Sequence, residues 1–381
     1  MQHLSLLLTV SFLSALHAGS VAAPGAIPPT KNDAVTVENN EGGDDPLSTA
    51  ITFPNLTSVK GFAYTYQRKD TRNALIEALT SATKTIDIAA HIIDEPEIIK
   101  ALQSAKNRGV EIRLFIQKSG ALQGKHSATN NFNIQDIAYQ TTKITTYFMP
   151  DLGDQNFKYS VQKMAFAIVD RKLVSLLTHL PCNENQQYFT QGLFFNNTEL
   201  AKSLKIVFDY NASGGRGEKP AALKDYNHLY NKSQLIIFGG EKGREKLKEW
   251  CRFATQTLTV QTQKLDDINF VDFLLQMRKM GRSIKIITSE ISPDHTLENL
   301  CIEKGIEIKV MNNISGTIIL LDHETALSHM FIGPLALTAH DFKYANSLGW
   351  AHKQQEVVKN TYSVFDTLWK QAKAPDFANP S

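Results

Sequence analysis

Two short apolar segments of the chain end in aspartate, Ala165-Phe166-Ala167-Ile168-Val169-Asp170 and Thr317-Ile318-Ile319-Leu320-Leu321-Asp322. Each reads as a buried strand whose polar residues can act only at its ends. Seven residues before the aspartates stand Lys163 and Ser315. A lysine supplies fixed positive charge or, where desolvation lowers its pKa, a base for a serine nucleophile. Histidines are the other acid–base candidates. His126 lies in Gly124-Lys125-His126-Ser127 after a strand pattern. Such loops often line clefts, but a solvated loop histidine is the commoner meaning. His340-Asp341-Phe342-Lys343 reads as a surface turn. There is no Cys-x-x-Cys and no Cys/His ligand spacing, so no metal and no cofactor is expected.

The elements around these residues follow a helix, strand, helix, strand order. Asp70-Thr71-Arg72-Asn73 offers an N-cap before Ala74-Leu75, Ala78-Leu79 and Ala82 at helical spacing. Thr85–Ala90 reads as a strand, Glu97–Asn107 as a second helix ended by Gly109, and Val110–Ile116 as a second strand. The unit recurs. Leu75–Ile116 lies over Leu247–Thr288 without a gap, with identities that include Leu75/Leu247, Ala82-Thr83/Ala254-Thr255, Asp94/Asp266 and Gly109/Gly281. A second match pairs Gly192 with Gly349 and Val207-Phe208-Asp209 with Val364-Phe365-Asp366. The reading is two homologous α/β domains, residues 61–214 and 231–373, joined by a turn-rich linker at 215–230 and followed by a tail at 374–381.

The other features bound location and partners. Residues 1–23 hold an apolar run, Leu4 to Leu16, followed by small residues, as in a secretory signal peptide. Residues 24–60 are rich in Pro, Gly, Asn and Asp and read as a disordered linker. A secreted or periplasmic protein is expected. The 381 residues carry a net charge of +2, so no polybasic field advertises nucleic acid or membrane. The basic run Lys242 to Lys248 is interleaved with Glu241, Glu245 and Glu249, a solvated helix. Three cysteines, Cys182, Cys251 and Cys301, exclude a disulfide scaffold and leave at least one thiol outside any intrachain pair. Asn55, Asn196, Asn211, Asn231 and Asn313 begin Asn-x-Ser/Thr sequons.

This arrangement resembles the phospholipase D superfamily over most of the chain after Gly61. The apolar strands ending in Asp170 and Asp322 look like that family's His-x-Lys-x4-Asp strand, and Met330–Thr338 is similar to the Gly-Ser-x-Asn-Leu-Thr segment that follows it. The resemblance implies two phospholipase D-like α/β sandwich domains, each a central mixed sheet flanked by helices, related by a pseudo-twofold axis. It also implies a shared cleft in which one His attacks phosphorus, the other protonates the leaving oxygen and two Lys hold the phosphoryl oxygens.

Carried over residue by residue, the motif is degenerate. Lys163 and Ser315 stand at the His positions, and Ala165 and Thr317 at the Lys positions. Only Asp170 and Asp322 are kept, and these are expected to be structural. Lys163 and Ser315 would face each other across the cleft as a Ser–Lys pair or, on the blander reading, as parts of a drifted, partly wet groove. His179 follows the first strand closely and is a candidate ligand contact. The leading expectation is a catalytically inactive protein that binds a partner or a phosphate-bearing ligand, lipid or nucleic acid included, through Lys163, His179, Ser315 and Thr317. The rivals are an active phosphodiester hydrolase using substituted residues, and a structural subunit of an envelope or secretion assembly.

Overall fold

The structure is a computed structural model and describes residues 62–65, 68–117, 144–149, 161–181, 189–215, 234–238, 241–291 and 296–375. Residues 1–61, where the signal peptide and disordered linker are expected, most of the linker at 215–230, His126 and Cys182 lie outside the described residues.

Two mixed sheets carry the fold. The first half contributes β1 (Phe62–Thr65), β2 (Thr85–Ala89), β3 (Glu111–Gln117), β4 (Ile144–Met149), β6 (Phe166–Val169), β7 (Leu173–Leu177) and β8 (Gly192–Asn196), in the order β4-β3-β2-β6-β7-β8-β1. The second half contributes β9 (Gln234–Phe238), β10 (Thr257–Lys264), β11 (Ser283–Glu290), β12 (Glu307–Val310), β13 (Thr317–Leu321), β14 (His329–Gly333) and β15 (Ala345–His352). Their order, β12-β11-β10-β13-β14-β15-β9, repeats that of the first half strand for strand. In both sheets the first three strands run parallel and the remaining pairs are antiparallel. Three of the parallel connections run through described helices, as crossover connections favour. These are α2 (Pro96–Asn107) between β2 and β3, α5 (Ile268–Lys279) between β10 and β11, and α6 (Thr296–Glu303) between β11 and β12. Helices α1 (Arg68–Thr80) and α4 (Glu241–Cys251) precede β2 and β10, and α3 (Thr198–Ala212) and α8 (Gln355–Gln371) close the halves. Among the described residues no helix is long and apolar enough to cross a membrane.

The repeat extends to the polar chemistry. Gly109 and Gly281 follow α2 and α5 at φ of +88° and +89°, a backbone that favours glycine. Arg72 on α1 reaches Glu95, the residue before α2, at 3.4 Å, and Arg244 on α4 reaches Asp267, the N-cap of α5, at 3.0 Å. Asp70 is not an N-cap, because α1 begins two residues earlier at Arg68. His340–Lys343 is not a surface turn. It lies in α7 (Ala339–Tyr344), with Asp341 buried and Phe342 in the core. Asn211 is buried, and its amide donates to Val207 O at 2.7 Å, so this sequon has no room for a glycan. Cys251 and Cys301 are buried and free, and burial pushes both thiols well up.

The halves meet reciprocally. Gln162 of β5 (Val161–Gln162) pairs in parallel with Asn346 of β15, and Ile314 bridges Phe189 in parallel. Gln162 and Ile314 occupy equivalent places before the two apolar strands, and Asn346 and Phe189 precede equivalent glycines by three residues. A contact of i with j mirrored by j with i is the signature of a local twofold. Buried amides seal it. Asn346 Nδ2 donates to Asn211 Oδ1 at 2.9 Å and to Gln162 Oε1 at 3.3 Å, and Gln191 Nε2 donates to Gln261 Oε1 at 3.1 Å.

Two stability predictions follow. Burial, with His329 beside it, pushes the His352 imidazole down to about 3. The unfolded imidazole takes its proton near 6.5. This group's contribution is therefore fully present above about pH 6.5 and declines as pH falls toward about 3, by about 1.4 kcal/mol per unit at most. Urea melts between pH 7 and 4 should show that slope, flattened in His352→Gln. Separately, Gly316 sits at φ +62°, and a Cβ there would meet Gly333 O at 2.6 Å and Thr178 O at 2.7 Å. Gly316→Ala should cost about 3 kcal/mol, read as a drop in the urea midpoint.

Candidate cleft between the two halves

The site begins with the two aspartates. Asp170 and Asp322 follow β6 and β13 in left-handed backbone, at φ +51° and +47°. Asp322 Oδ2 accepts the Thr255 N–H and hydroxyl, and its Oδ1 accepts the Gln256 and Thr257 N–H groups, each at 2.8 Å. Asp170 does the same to Thr83, Lys84 and Thr85 at 2.7–3.0 Å. Burial raises both carboxyls, but the four donors outweigh it and hold each below the usual carboxylate range. Each bond set joins the end of one strand to the turn before the neighbouring strand. That fixes the register of β6 and β13 and therefore the places of Lys163 and Ser315.

At the opposite ends of these strands, where the halves meet, lies a cavity of about 170 Å³. The first half lines it with His91, Lys163, Met164, Ala165, His179 and Leu180, and the second with Gln263, Ser315, Gly316 and Pro334. Lys163 Nζ lies 2.7 Å from Asp341 Oδ2, so the ammonium is ion-paired with a carboxylate of the other half. The Ser315 hydroxyl donates to Phe189 O at 2.7 Å and lies 3.2 Å from Thr178 Oγ1. Thus Lys163 and Ser315 share the cavity but are not joined as a base and its nucleophile. Thr317 is fully buried. Its hydroxyl donates to Leu335 O at 2.7 Å and lies 2.9 Å from Thr262 Oγ1, so it does not line the cavity.

His179 is half-buried, and its Nδ1 donates to Leu180 O at 2.6 Å. Burial, helped by nearby His91 and Lys163, outweighs that bond and pushes the ring down to about 4, so it is neutral at pH 7. His91 is a lining residue that the sequence reading did not single out. Its Nδ1 lies 3.2 Å from Gln162 O. The repeat carried a signal for it, because the gapless overlay that pairs Leu75 with Leu247 also pairs His91 with Gln263, and both reach the cavity. Among the described residues no group of His, Cys, Asp or Glu could hold a metal ion.

Comparison with known proteins places this geometry. Residues 75–176 match the family described as "Cardiolipin synthase, PLD-like domain". A phosphatidylserine synthase of Haemophilus influenzae Rd KW20 superposes with a TM-score of 0.66 at 14% identity, over 84% of this chain and 88% of that one.

The fold is phospholipase D-like.

A polyphosphate kinase from Porphyromonas gingivalis superposes with a TM-score of 0.58 at 14% identity over the same share of this chain, which spans about half of that protein, 53%. No curated protein sequence matches the chain. The equivalent aspartate bonds put β6 and β13 in the same register, so Lys163 and Ser315 occupy equivalent places in the two halves. At these equivalent places stand a lysine and a serine, and two residues further on Ala165 and Thr317. His91 and His179 both belong to the first half.

The aspartates give a graded prediction. Asp322 is 1% exposed, whereas Asp170 is half-buried. Removing four charge-assisted bonds costs more where water cannot replace them. Asp322→Ala should lower the unfolding free energy by about 3 kcal/mol and Asp170→Ala by less, measured by urea titration.

Proposed function

We propose that this phospholipase D-like protein binds a phosphate-bearing ligand in the cleft between its halves without cleaving it. The observation that carries this reading is the state of the four motif positions. Lys163 is tied to Asp341, Ala165 has no polar group, Ser315 spends its proton on Phe189 O, and Thr317 is sealed in the core. Cleavage through two imidazoles needs one to attack and one to protonate the leaving oxygen. Neither position holds an imidazole, and Lys163 and Ser315 are engaged with Asp341 and Phe189 O instead. Binding asks for less. Lys163, His91, Gln263 and the Ser315 oxygen surround a space large enough for a phosphoryl group, and a cation with polar side chains suits an anion. The apolar segment Leu4–Leu16 supports action outside the cytosol, secreted or periplasmic.

Purified protein should turn over neither a chromogenic phosphodiester, nor a phospholipid, nor single-stranded DNA, with or without chelator. It should bind dimethyl phosphate, and Lys163→Met should abolish that binding in titration calorimetry. Turnover lost on Lys163→Ala or His179→Ala would replace this reading with a rebuilt hydrolase.

A further inference from the structure

The Lys163–Asp341 pair has a property beyond holding the halves together. Lys163 lines the cavity and Asp341 does not. The carboxylate is 4% exposed and bonded to the ammonium that lines the cavity. It is also fixed in place. The oxygen that takes Lys163 accepts the Ala336 N–H at 2.7 Å, and the Asp341 N–H donates to Thr338 Oγ1 at 3.0 Å. His340 Nδ1 lies 3.6 Å from the other oxygen. Burial raises the carboxyl, but the His340 ring, Lys163 and the Ala336 N–H hold it below the usual range, so it is ionised when a ligand arrives. Ser315, at the equivalent place in the second half, meets only neutral oxygens in its hydrogen bonds.

We propose that Asp341 sets the charge of the ligand this cleft accepts, confining it to singly charged phosphate-type anions by offsetting the field of Lys163. The inference rests on the anion-binding reading above. An anionic oxygen seated on Lys163 at ordinary hydrogen-bond distance would lie roughly 4.6 Å from the Asp341 oxygen. The attraction it feels is then cut to roughly 40% of that of a lone lysine. Attraction grows in proportion to ligand charge, whereas desolvation grows with its square. A weakened field therefore moves the best ligand toward lower charge. Restoring the field moves it back.

The probes are dimethyl phosphate and methyl phosphate, of similar size, at pH 8, where the first carries one negative charge and the second nearly two. Titration calorimetry on the wild type should show dimethyl phosphate bound at least as tightly as methyl phosphate. Asp341→Asn, which keeps an oxygen for the Ala336 N–H, should tighten methyl phosphate on the order of tenfold and dimethyl phosphate by less. The Lys163→Met/Asp341→Asn double variant should show no such gain. A merely structural role for Asp341 would weaken both ligands together. An unchanged preference in Asp341→Asn, with binding still lost in Lys163→Met, overturns the inference and leaves the anion site standing. Binding of neither probe by wild type or Asp341→Asn overturns both. Should Asp341→Asn fail to fold, the wild type still decides, because tighter binding of methyl phosphate than of dimethyl phosphate contradicts the proposal.

Discussion

The architecture of the cleft depends on two carboxylates that never touch it. Asp170 and Asp322 each gather four donors from the turn before the neighbouring strand, from a backbone conformation that L-residues seldom adopt. A buried or half-buried carboxylate with four charge-assisted bonds is costly to replace, since any neutral residue leaves N–H groups without acceptors. These bonds lock β6 to β2 and β13 to β10 at one end. The other ends of β6 and β13, where Lys163 and Ser315 stand, are thereby set in register at the junction of the halves. The reciprocal pairings of Gln162 with Asn346 and of Phe189 with Ile314 then bring those two ends together.

This separation of scaffold from cleft means that the side chains at positions 163, 165, 315 and 317 do not set the register of the strands that carry them. β13 and β14 are buried along their whole length, so side chains there are selected by volume and by hydrogen-bond satisfaction. Thr317 meets both conditions with no help from a ligand, because its hydroxyl is satisfied by Leu335 O. Ala165 meets them by having no polar atom. A catalytic lysine at either place would need a phosphate, or a carboxylate such as the one Asp341 supplies to Lys163, to balance its charge. The present side chains need no ligand to be stable.

Much of the fold was legible in the sequence, because the helix, strand, helix, strand unit is repeated with its punctuation intact. Gly109 and Gly281, Thr83 and Thr255, and the two strand-ending aspartates keep both spacing and role. The places of Lys163 and Ser315 followed from the same counting, but their condition did not. That Lys163 is ion-paired depends on α7 of the other half, 178 residues away in the chain, and no local pattern reports it. Asp341 itself was hidden for the same reason. His340-Asp341-Phe342-Lys343 is polar in composition, and only tertiary packing shows that Asp341 and Phe342 turn inward. The Asn211 sequon reads as a surface signal until Asn346 and Val207 are seen to take its amide. Thr317 was expected in the cleft because the resemblance put it at a motif lysine position with a hydroxyl for phosphate, but it is fully buried and its hydroxyl is taken by Leu335 O and Thr262.

The two halves have diverged in opposite directions across a nearly symmetric frame. The first supplies the basic side chains that line the cavity, Lys163, His91 and His179. The second supplies an amide, a hydroxyl and the carboxylate bonded to Lys163. A symmetric cleft with a histidine and a lysine from each side suits a phosphodiester that must be attacked from one side and released on the other. On the proposed reading, an asymmetric cleft, with its basic side chains on one wall and an amide and a hydroxyl on the other, orients an anion against one wall and holds it there. In that proposal the asymmetry, more than the state of any single residue, is what favours recognition over turnover.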